Sequence, residues 1–151
     1  MSGPDLTFRP AGPDDIPAIS GLLGMLFADE QDFAPDPVKQ HRALTLFLET
    51  GKGIIYLAES GGRCAGVVIA SLGISTAEGG WSGDIDDIVV HPDFRRLGIG
   101  EKLLALAEEW CYQRGAVRMR LYCDDQNRAA MAFYRKHGWQ KSHCVAFFRR
   151  R

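Results

Sequence analysis

Hydrophobic residues recur in the sequence at two spacings, one typical of helices and the other of strands. After Pro13-Asp14-Asp15, whose acids suit the positive end of a helix dipole, apolar residues return every three or four positions as far as Phe27. This spacing predicts an amphipathic helix that begins near Ile16. Three more helices are predicted from glycine, proline and apolar signals: from Pro37 to Glu49, from Gly98 to about Arg114, and from Arg128 to Lys136.

Six shorter apolar segments, bounded mostly by glycine or proline, have the composition of strands. Gly61-Gly62 separates two of them and predicts a two-residue hairpin turn. The six segments are Leu6–Pro10, Ile54–Glu59, Cys64–Leu72, Asp84–His91, Val117–Cys123 and Val145–Arg149. The resulting order, β-α-α-β-β-β-α-β-α-β, predicts one α/β or α+β domain over residues 1–151.

Composition narrows the class of protein. The 151 residues are 46% apolar and 25% charged, which is typical of a globular chain. The sequence contains neither an apolar run long enough to span a bilayer nor an apolar signal core, so we expect a cytoplasmic protein without a membrane partner. The four cysteines lack the spacing of a zinc site, and we expect no metal. A net charge of −1 argues against a dedicated nucleic-acid-binding protein.

The segment Val89–Glu101 has the features of an anion site. Gly98-Ile99-Gly100 opens a predicted helix, where unpaired N–H groups and the helix dipole favour a phosphate. Arg95 and Arg96 precede it and can add charge and hydrogen bonds. Leu103 stands where a dinucleotide-binding loop would need a third glycine, so that motif is not matched.

Two motifs in order resemble the hallmarks of the GNAT superfamily, the acyl-CoA-dependent N-acetyltransferases. The first is Arg95-x-x-Gly98-x-Gly100 after a strand that ends Val-Val-His-Pro. The second is Asn127, with Tyr134 seven residues later and then Gly138-Trp139. The resemblance covers Leu6 to Phe148. It implies the GNAT fold: a central mixed, mostly antiparallel β-sheet, splayed between its fourth and fifth strands and flanked by about four helices.

The resemblance also implies acetyl-CoA as the co-substrate, held in the gap between the splayed strands. Pantetheine would pair with the main chain of one strand, the pyrophosphate would lie on the loop before the third helix, and Asn127 would reach the pantetheine arm. The implied cofactor-binding residues are Ile88, Val89, Val90, Arg95, Arg96, Leu97, Gly98, Ile99, Gly100, Glu101 and Asn127.

Acetylation of an amine needs a base, because an alkylammonium must lose a proton before it can attack. Asp86 matches the position where polyamine-type relatives carry a functional glutamate, and we expect it to act directly or through water, with Asp87 as the second choice. The resemblance implies that Tyr134 protonates the departing thiolate or donates a hydrogen bond to its sulfur. Strict strand alternation would place Asp84, Asp86, Ile88 and Val90 on one face and Ile85, Asp87 and Val89 on the other.

Acidic residues are concentrated where the family places its acceptor. Residues 10–38 hold six acids, residues 64–94 hold five, and neither stretch contains a lysine or arginine. Such a surface would attract a small cationic amine of the polyamine, aminoglycoside or amino acid type. The predicted substrate-binding residues are Asp29, Glu30, Glu78, Asp84 and Asp87.

Other functions stay open at this point. The chain could be a non-catalytic acyl-CoA-binding or sensory module on the same fold, or an acetyltransferase for lysines or N-termini of proteins. The six basic residues and no acids of segment 135–151 allow a nucleic-acid-binding alternative, although we expect no nucleic-acid partner. A homodimer is expected from relatives that pair through their late strands.

Overall fold

A computed structural model describes residues 5–151; residues 1–4, which the single-domain prediction includes, lie outside the described residues. The five strands are β1 (Leu6–Pro10), β2 (Gly53–Ser60), β3 (Arg63–Ser75), β4 (Gly80–Val90) and β5 (Arg118–Leu121). The four α-helices are α1 (Ile16–Asp29), α2 (Pro37–Thr50), α3 (Ile99–Gln113) and α4 (Arg128–Lys136). Short 3-10 helices at Pro13–Asp15 and Pro92–Phe94 precede α1 and α3.

The strands form one sheet in the order β1-β2-β3-β4-β5. The first three pairings are antiparallel, and β4 pairs with β5 in parallel. Gly61 and Gly62 form the predicted hairpin turn with φ of 55° and 75°, a left-handed conformation that glycine adopts without strain. The mixed, mostly antiparallel sheet with four helices confirms the predicted fold class.

Helices cover both faces of the sheet. On the first, the α1–α2 face, the stripe predicted for α1 packs with Ile55, Leu57, Val67 and Ile69. On the second, the α3 face, α3 packs on alternate residues of β2, β3 and β4.

Two glycines let α3 lie directly on the sheet. A Cβ at Gly66 would stand 2.9 Å from Ile99 Cγ2, and a Cβ at Gly83 would stand 2.8 Å from Cys111 Sγ. This close packing fixes the start of α3 beside the end of β4.

The strand predicted at Val145–Arg149 is wrong. Residues 140–151, called here the C-terminal arm, contain no strand and are exposed along their whole length. Near the end of the arm, Arg150 Nη2 donates to the carbonyl of Asp32 at 2.8 Å. Valine and phenylalanine favour a strand only where a neighbouring edge takes up their backbone hydrogen bonds, and the arm has no such neighbour within residues 5–151.

Other boundaries differ from the predictions by a few residues. The fifth strand ends at Leu121 rather than Cys123, because β4 and β5 diverge there. The third and fourth strands form a longer hairpin than predicted, with Ser75 opposite Gly80. In the described part of the chain, no helix combines the length and apolar character needed to cross a membrane.

Candidate active site

The sheet opens between β4 and β5. The two strands pair only where Ser82–Ile85 meets Arg118–Leu121, whereas β4 continues to Val90 along β3. This confirms the predicted splay between the fourth and fifth strands. The opening leaves one edge of β4 without a partner strand within the described residues.

The backbone of β4 presents two residues to this opening. His91 N donates to the carbonyl of Ala65 on β3 at 2.9 Å, and the polar groups of a strand alternate in direction. The backbone N–H and C=O groups of Val89 therefore point toward β3, as those of His91 do. The N–H and C=O groups of Ile88 and Val90 face the opening and can pair with an extended ligand as an added strand would.

A β-bulge interrupts β4 beside the opening. Asp87 lies opposite Ile69, but the next residue of β3, Ala70, lies opposite Ile85, so Asp86 is the extra residue. Ile85 and Ile88 consequently both pack on the α3 face, although their spacing would place them on opposite faces of a regular strand.

The predicted alternation of residues 84–90 is therefore wrong. Asp84 lies opposite Ser71, Asp86 accepts a hydrogen bond from Ser71, and Asp87 lies opposite Ile69 of the α1–α2 face. All three carboxylates share the α1–α2 face. Ile88 and Val90, which were predicted to share a face with Asp86, pack on the α3 face.

A small cavity of about 50 Å³ lies at the opening and connects elements that are far apart in sequence. Glu30 contributes from the end of α1, Asp86 and Asp87 from β4, and Tyr134 from α4. The volume can hold one or a few waters. The remaining lining residues are Leu26, Ile85, Ile88, Leu121 and Tyr122.

Burial and neighbouring negative charges raise the pKa of the carboxylates around the cavity. Burial, followed by the charges of Asp86 and Glu30, raises the pKa of Asp87 to about 7. Burial also raises the pKa of Glu30, as do the charges of Asp124 and Asp32. A proton can therefore bind Asp87 near neutral pH.

Tyr134 stays protonated in this setting. Burial is the main cause that raises its pKa, and the nearby Cys123, Asp87 and Glu30 add to the rise. The ring packs edge-on against Phe133 at a centroid distance of 5.3 Å. The phenol is therefore available as a proton donor across the physiological range.

A second and larger cleft, of about 310 Å³, lies at the start of α3. Its loop is shaped by two left-handed residues, Arg96 at φ 64° and Gly98 at φ 74°. The first intrahelical hydrogen bond of α3 runs from Lys102 N to the carbonyl of Gly98, so the N–H groups before Lys102 have no partner within the helix. The cleft is lined by Val90, Phe94, Arg95, Arg96, Gly98, Ile99, Gly100, Glu101, Phe133, Lys136 and His137.

Lys136 and His137 in this cleft were missed from the sequence. They come from the end of α4, whose last turn carries Arg135 and Lys136. Arg135 and Lys136 are visible in the sequence as a basic pair. Only the packing of α4 beside α3 shows that Lys136 reaches this cleft. Of the loop residues that were predicted, Ile99 has a buried side chain and can contribute only its backbone, whereas Leu97 is exposed.

Asn127 has a structural task of its own. It is the N-cap of α4, and its Oδ1 accepts a hydrogen bond from Ala130 N at 3.0 Å. It thereby fixes the start of the helix that carries Tyr134. The predicted contact of Asn127 with pantetheine stays a prediction.

The predicted acceptor residues fall into two groups. Glu30 and Asp87 line the cavity, and Asp29 lies exposed beside Glu30 at the end of α1. Asp84 instead pairs with Arg120 across to β5. Glu78 lies at the far end of the β3–β4 hairpin, roughly 20 Å along the strand from Asp87, so the structure does not bring it to the cavity.

Known proteins share both the sequence pattern and this fold. The acetyltransferase (GNAT) family model matches residues 23–139. An aminoalkylphosphonate N-acetyltransferase of Salmonella typhimurium is 34% identical over 87 residues, 58% of this chain and 56% of that protein. The matched stretch thus spans little more than half of that relative. An uncharacterized N-acetyltransferase of Bacillus subtilis, YhfO, is 26% identical over 136 residues, 90% of this chain and 91% of that protein.

Among solved structures, an aminoglycoside N-acetyltransferase, AAC(6')-Iy, in complex with CoA superposes with a TM-score of 0.83 at 18% identity. The superposition covers 99% of this chain and 97% of that one. At this identity, the likeness establishes the fold.

Proposed function

The chain belongs to the acetyltransferase (GNAT) family, and from that premise we propose that it transfers an acetyl group from acetyl-CoA to a primary amine in a ternary complex. The observation that carries the proposal is the opening between β4 and β5. It joins the cleft at the start of α3 to the acidic cavity beside Tyr134. Val90 lines the cleft and Ile88 lines the cavity, so the free edge of β4 connects the two.

The residues at the opening fit acetyl-CoA. Unpaired N–H groups at the start of α3, together with Arg95, Arg96 and Lys136, suit a pyrophosphate. The outward backbone groups of Ile88 and Val90 suit the amides of a pantetheine chain. The bound co-substrate supplies a thioester carbonyl that is open to attack by an amine.

The acceptor proposed here is a small cationic amine. Glu30, Asp86 and Asp87 line one cavity without a lysine or arginine in its lining, and such a site attracts an ammonium group. Relatives named as aminoalkylphosphonate and aminoglycoside acetyltransferases also act on amines. Tyr134 is assigned as the donor that protonates the departing thiolate, since its raised pKa keeps the phenol protonated.

A screen of acceptor amines tests this function. Purified protein with acetyl-CoA is offered polyamines, aminoglycosides, amino acids, aminoalkylphosphonates and a lysine peptide, and free CoA thiol is measured. Thiol release that depends on a small cationic amine supports the proposal. Release only with the peptide would indicate a protein acetyltransferase, and acetyl-CoA binding without release for any amine would indicate a sensory module.

The proposed assembly is a homodimer formed by the C-terminal arm. The outer edge of β5 has no neighbouring strand within residues 5–151, and an open edge is a template for another strand. The arm offers Val145, Phe147 and Phe148, which are 76%, 92% and 66% exposed. If the arm of one copy pairs with β5 of a second copy, the open strand edge gains hydrogen-bond partners and the apolar side chains of the arm are covered. Because each copy gives its arm to the other, the dimer has two-fold symmetry.

Light scattering tests the dimer. The wild-type chain should have twice the 16.7 kDa chain mass, and Phe147→Asp should reduce it to one chain while the helical circular dichroism signal stays unchanged. A wild-type mass of one chain would contradict the dimer.

A further inference from the structure

Two consecutive carboxylates lie on one face of β4, and the structure gives them different surroundings. In a regular strand Asp86 and Asp87 would point in opposite directions, but the bulge at Asp86 brings both to the α1–α2 face. We propose that Asp87 accepts the proton of the acceptor amine, while Asp86, held by Ser71, is a positioning residue that sets the charge around Asp87. This inference rests on the proposed acetyl transfer and assigns the base within it.

Asp86 is fixed by a neighbouring strand. Ser71 Oγ on β3 donates to Asp86 Oδ2 at 2.8 Å, and this bond is made to the ionised carboxylate. Burial raises the pKa of Asp86 and the charge of Asp84 adds to the rise, whereas Ser71 and, more weakly, Arg120 lower it. The Ser71 hydrogen bond thus favours the ionised form of Asp86 beside Asp87 and opposes the rise that burial causes in its pKa.

Asp87 has no such partner. No side-chain or backbone donor of residues 5–151 forms a hydrogen bond with its carboxylate, which lines the cavity of about 50 Å³. The titratable groups that line its cavity are Glu30 from the end of α1, Asp86 from its own strand, Tyr122 beyond β5 and Tyr134 from α4, and Cys123 lies next to Tyr134. Its surroundings are therefore anionic or neutral, and a proton or an ammonium group is the missing counter-charge.

This arrangement suits a base. A general base works best when its pKa lies near the operating pH, and the pKa of Asp87 is about 7. The carboxylate lines the same cavity as the Tyr134 phenol, so a proton acceptor and a proton donor border one site.

The proton and electron balance closes with these two side chains. The ammonium gives one proton to Asp87, directly or through a cavity water, and the freed lone pair forms the C–N bond to the thioester carbonyl carbon. The C–S bond breaks, its electron pair stays on sulfur, and Tyr134 supplies the proton of the thiol. The second proton lost by nitrogen restores Tyr134, and Asp87 returns its proton to solvent.

The pH dependence of kcat/KM at saturating acetyl-CoA separates the two carboxylates. The wild-type rate should rise with pH through a midpoint near 7. Asp87→Asn should remove this rise and lower kcat/KM at pH 7.5 on the order of a hundredfold. Asp86→Asn should keep the rise but move its midpoint to lower pH, because the removal of a negative charge lowers the pKa of Asp87.

Ser71 supplies the matched pair of variants. Ser71→Ala removes the hydrogen bond, so Asp86 holds its proton more readily, repels Asp87 less, and moves the midpoint in the same direction as Asp86→Asn by a smaller amount. Ser71→Thr retains a hydroxyl and should restore the wild-type midpoint. Loss of the rise in Asp86→Asn with its retention in Asp87→Asn would overturn the assignment.

A carboxyl titration by ¹³C NMR distinguishes failure of this inference from failure of the proposed function. In the protein without substrates, the Asp87 carboxyl should titrate near 7, and Asp86→Asn should lower that value. If no amine in the screen releases CoA but the titration holds, the acetyl-transfer proposal fails and the carboxylate pair stands as described. If Asp87 titrates near 4, the assignment of the base fails whatever the activity.

Discussion

The two ends of the opening between β4 and β5 are built in different ways. At the start of α3, one short loop and the first N–H groups of one helix form the floor of the cleft, Lys136 is added from the end of α4, and the charge of the cleft is positive. At the other end, the cavity is formed by side chains from α1, β4 and α4, and its charge is negative. An anionic part of a ligand would bind at the positive cleft, and a cationic part would bind at the negative cavity.

The difference teaches where each kind of recognition is encoded. A backbone cradle depends on local conformation, here on the left-handed Arg96 and Gly98, and a motif of a few residues can specify it. A carboxylate pocket depends on which distant side chains the fold brings together. The predictions below test that contrast, from the largest expected effect to the smallest.

The largest effect is expected from Tyr134→Phe. The substitution removes the proton donor of the acidic cavity but keeps the ring that packs on Phe133, so kcat should fall about a hundredfold. The dissociation constant of acetyl-CoA should stay within about twofold, because the variant leaves the cleft at α3 intact. Stopped-flow turnover and calorimetric binding measure the two quantities, and an unchanged kcat would remove Tyr134 from its assigned role.

A smaller loss, confined to the opposite end, is expected from Gly98→Ala. Gly98 has φ 74°, which costs an alanine about 1–2 kcal/mol. The loop relieves this strain by leaving the left-handed conformation, which turns the first N–H groups of α3 away from the ligand. The affinity for acetyl-CoA should fall about tenfold, since 1.4 kcal/mol corresponds to a factor of ten.

Gly62→Ala is the control for that experiment. Gly62 has φ 75° and, like Gly98, open space where a Cβ would stand, but it lies in the β2–β3 hairpin turn. The same backbone strain there should lower stability and leave the affinity for acetyl-CoA unchanged. Equal losses of affinity in both variants would show that strain acts through global stability and would contradict the local role of Gly98.

The contrast also explains what the sequence could predict. The loop at α3, the four helices and the β2–β3 hairpin follow from local signals, because periodicity, glycine and proline act over a few residues. The bulge at Asp86 has no such signal: it results from the pairing of β4 with β3, and it reversed the predicted faces of Ile88 and Val90. The meeting of Glu30 with Asp87 likewise requires the packing of α1 on the sheet.

The C-terminal arm and Glu78 show the opposite error. Val145–Arg149 has strand composition, but a strand also needs an edge, which composition does not reveal. Glu78 belongs to the same acidic stretch as Asp87, yet the length of the β3–β4 hairpin separates the two. Proximity in sequence was informative along a helix or a turn and misleading along an extended hairpin.

Glu30→Gln should have a moderate effect that is restricted to the acceptor end. It removes a negative charge that raises the pKa of Asp87, so the midpoint of the pH–rate profile should move to lower pH. KM for a cationic amine should rise several-fold, with acetyl-CoA affinity unchanged. Glu49→Gln, an exposed acid at the end of α2, is the matched control and should alter neither quantity. A shift of the same size in Glu49→Gln would mean that net charge, and not the cavity, governs binding.

The smallest expected effect is on stability, and it has the opposite sign to the effect on activity. The pKa of Asp87 is about 7 in the folded protein against 3.8 for an unperturbed aspartate, so between these values the folded state binds more protons than the unfolded state. Stability must then fall as pH rises from about 4 to about 7 and level off above that range.

Asp87→Asn lacks this titration, and at pH 8 it should be more stable than the wild type by on the order of 1 kcal/mol, or about 3 °C in Tm. Differential scanning calorimetry at pH 5 and pH 8 measures the change: the variant's advantage should be present at pH 8 and smaller at pH 5. An equal advantage at both pH values would place its cause in packing and not in the buried charge. A gain in stability at pH 8 together with a loss of turnover would show that the acidic end of the opening is maintained at the expense of the fold.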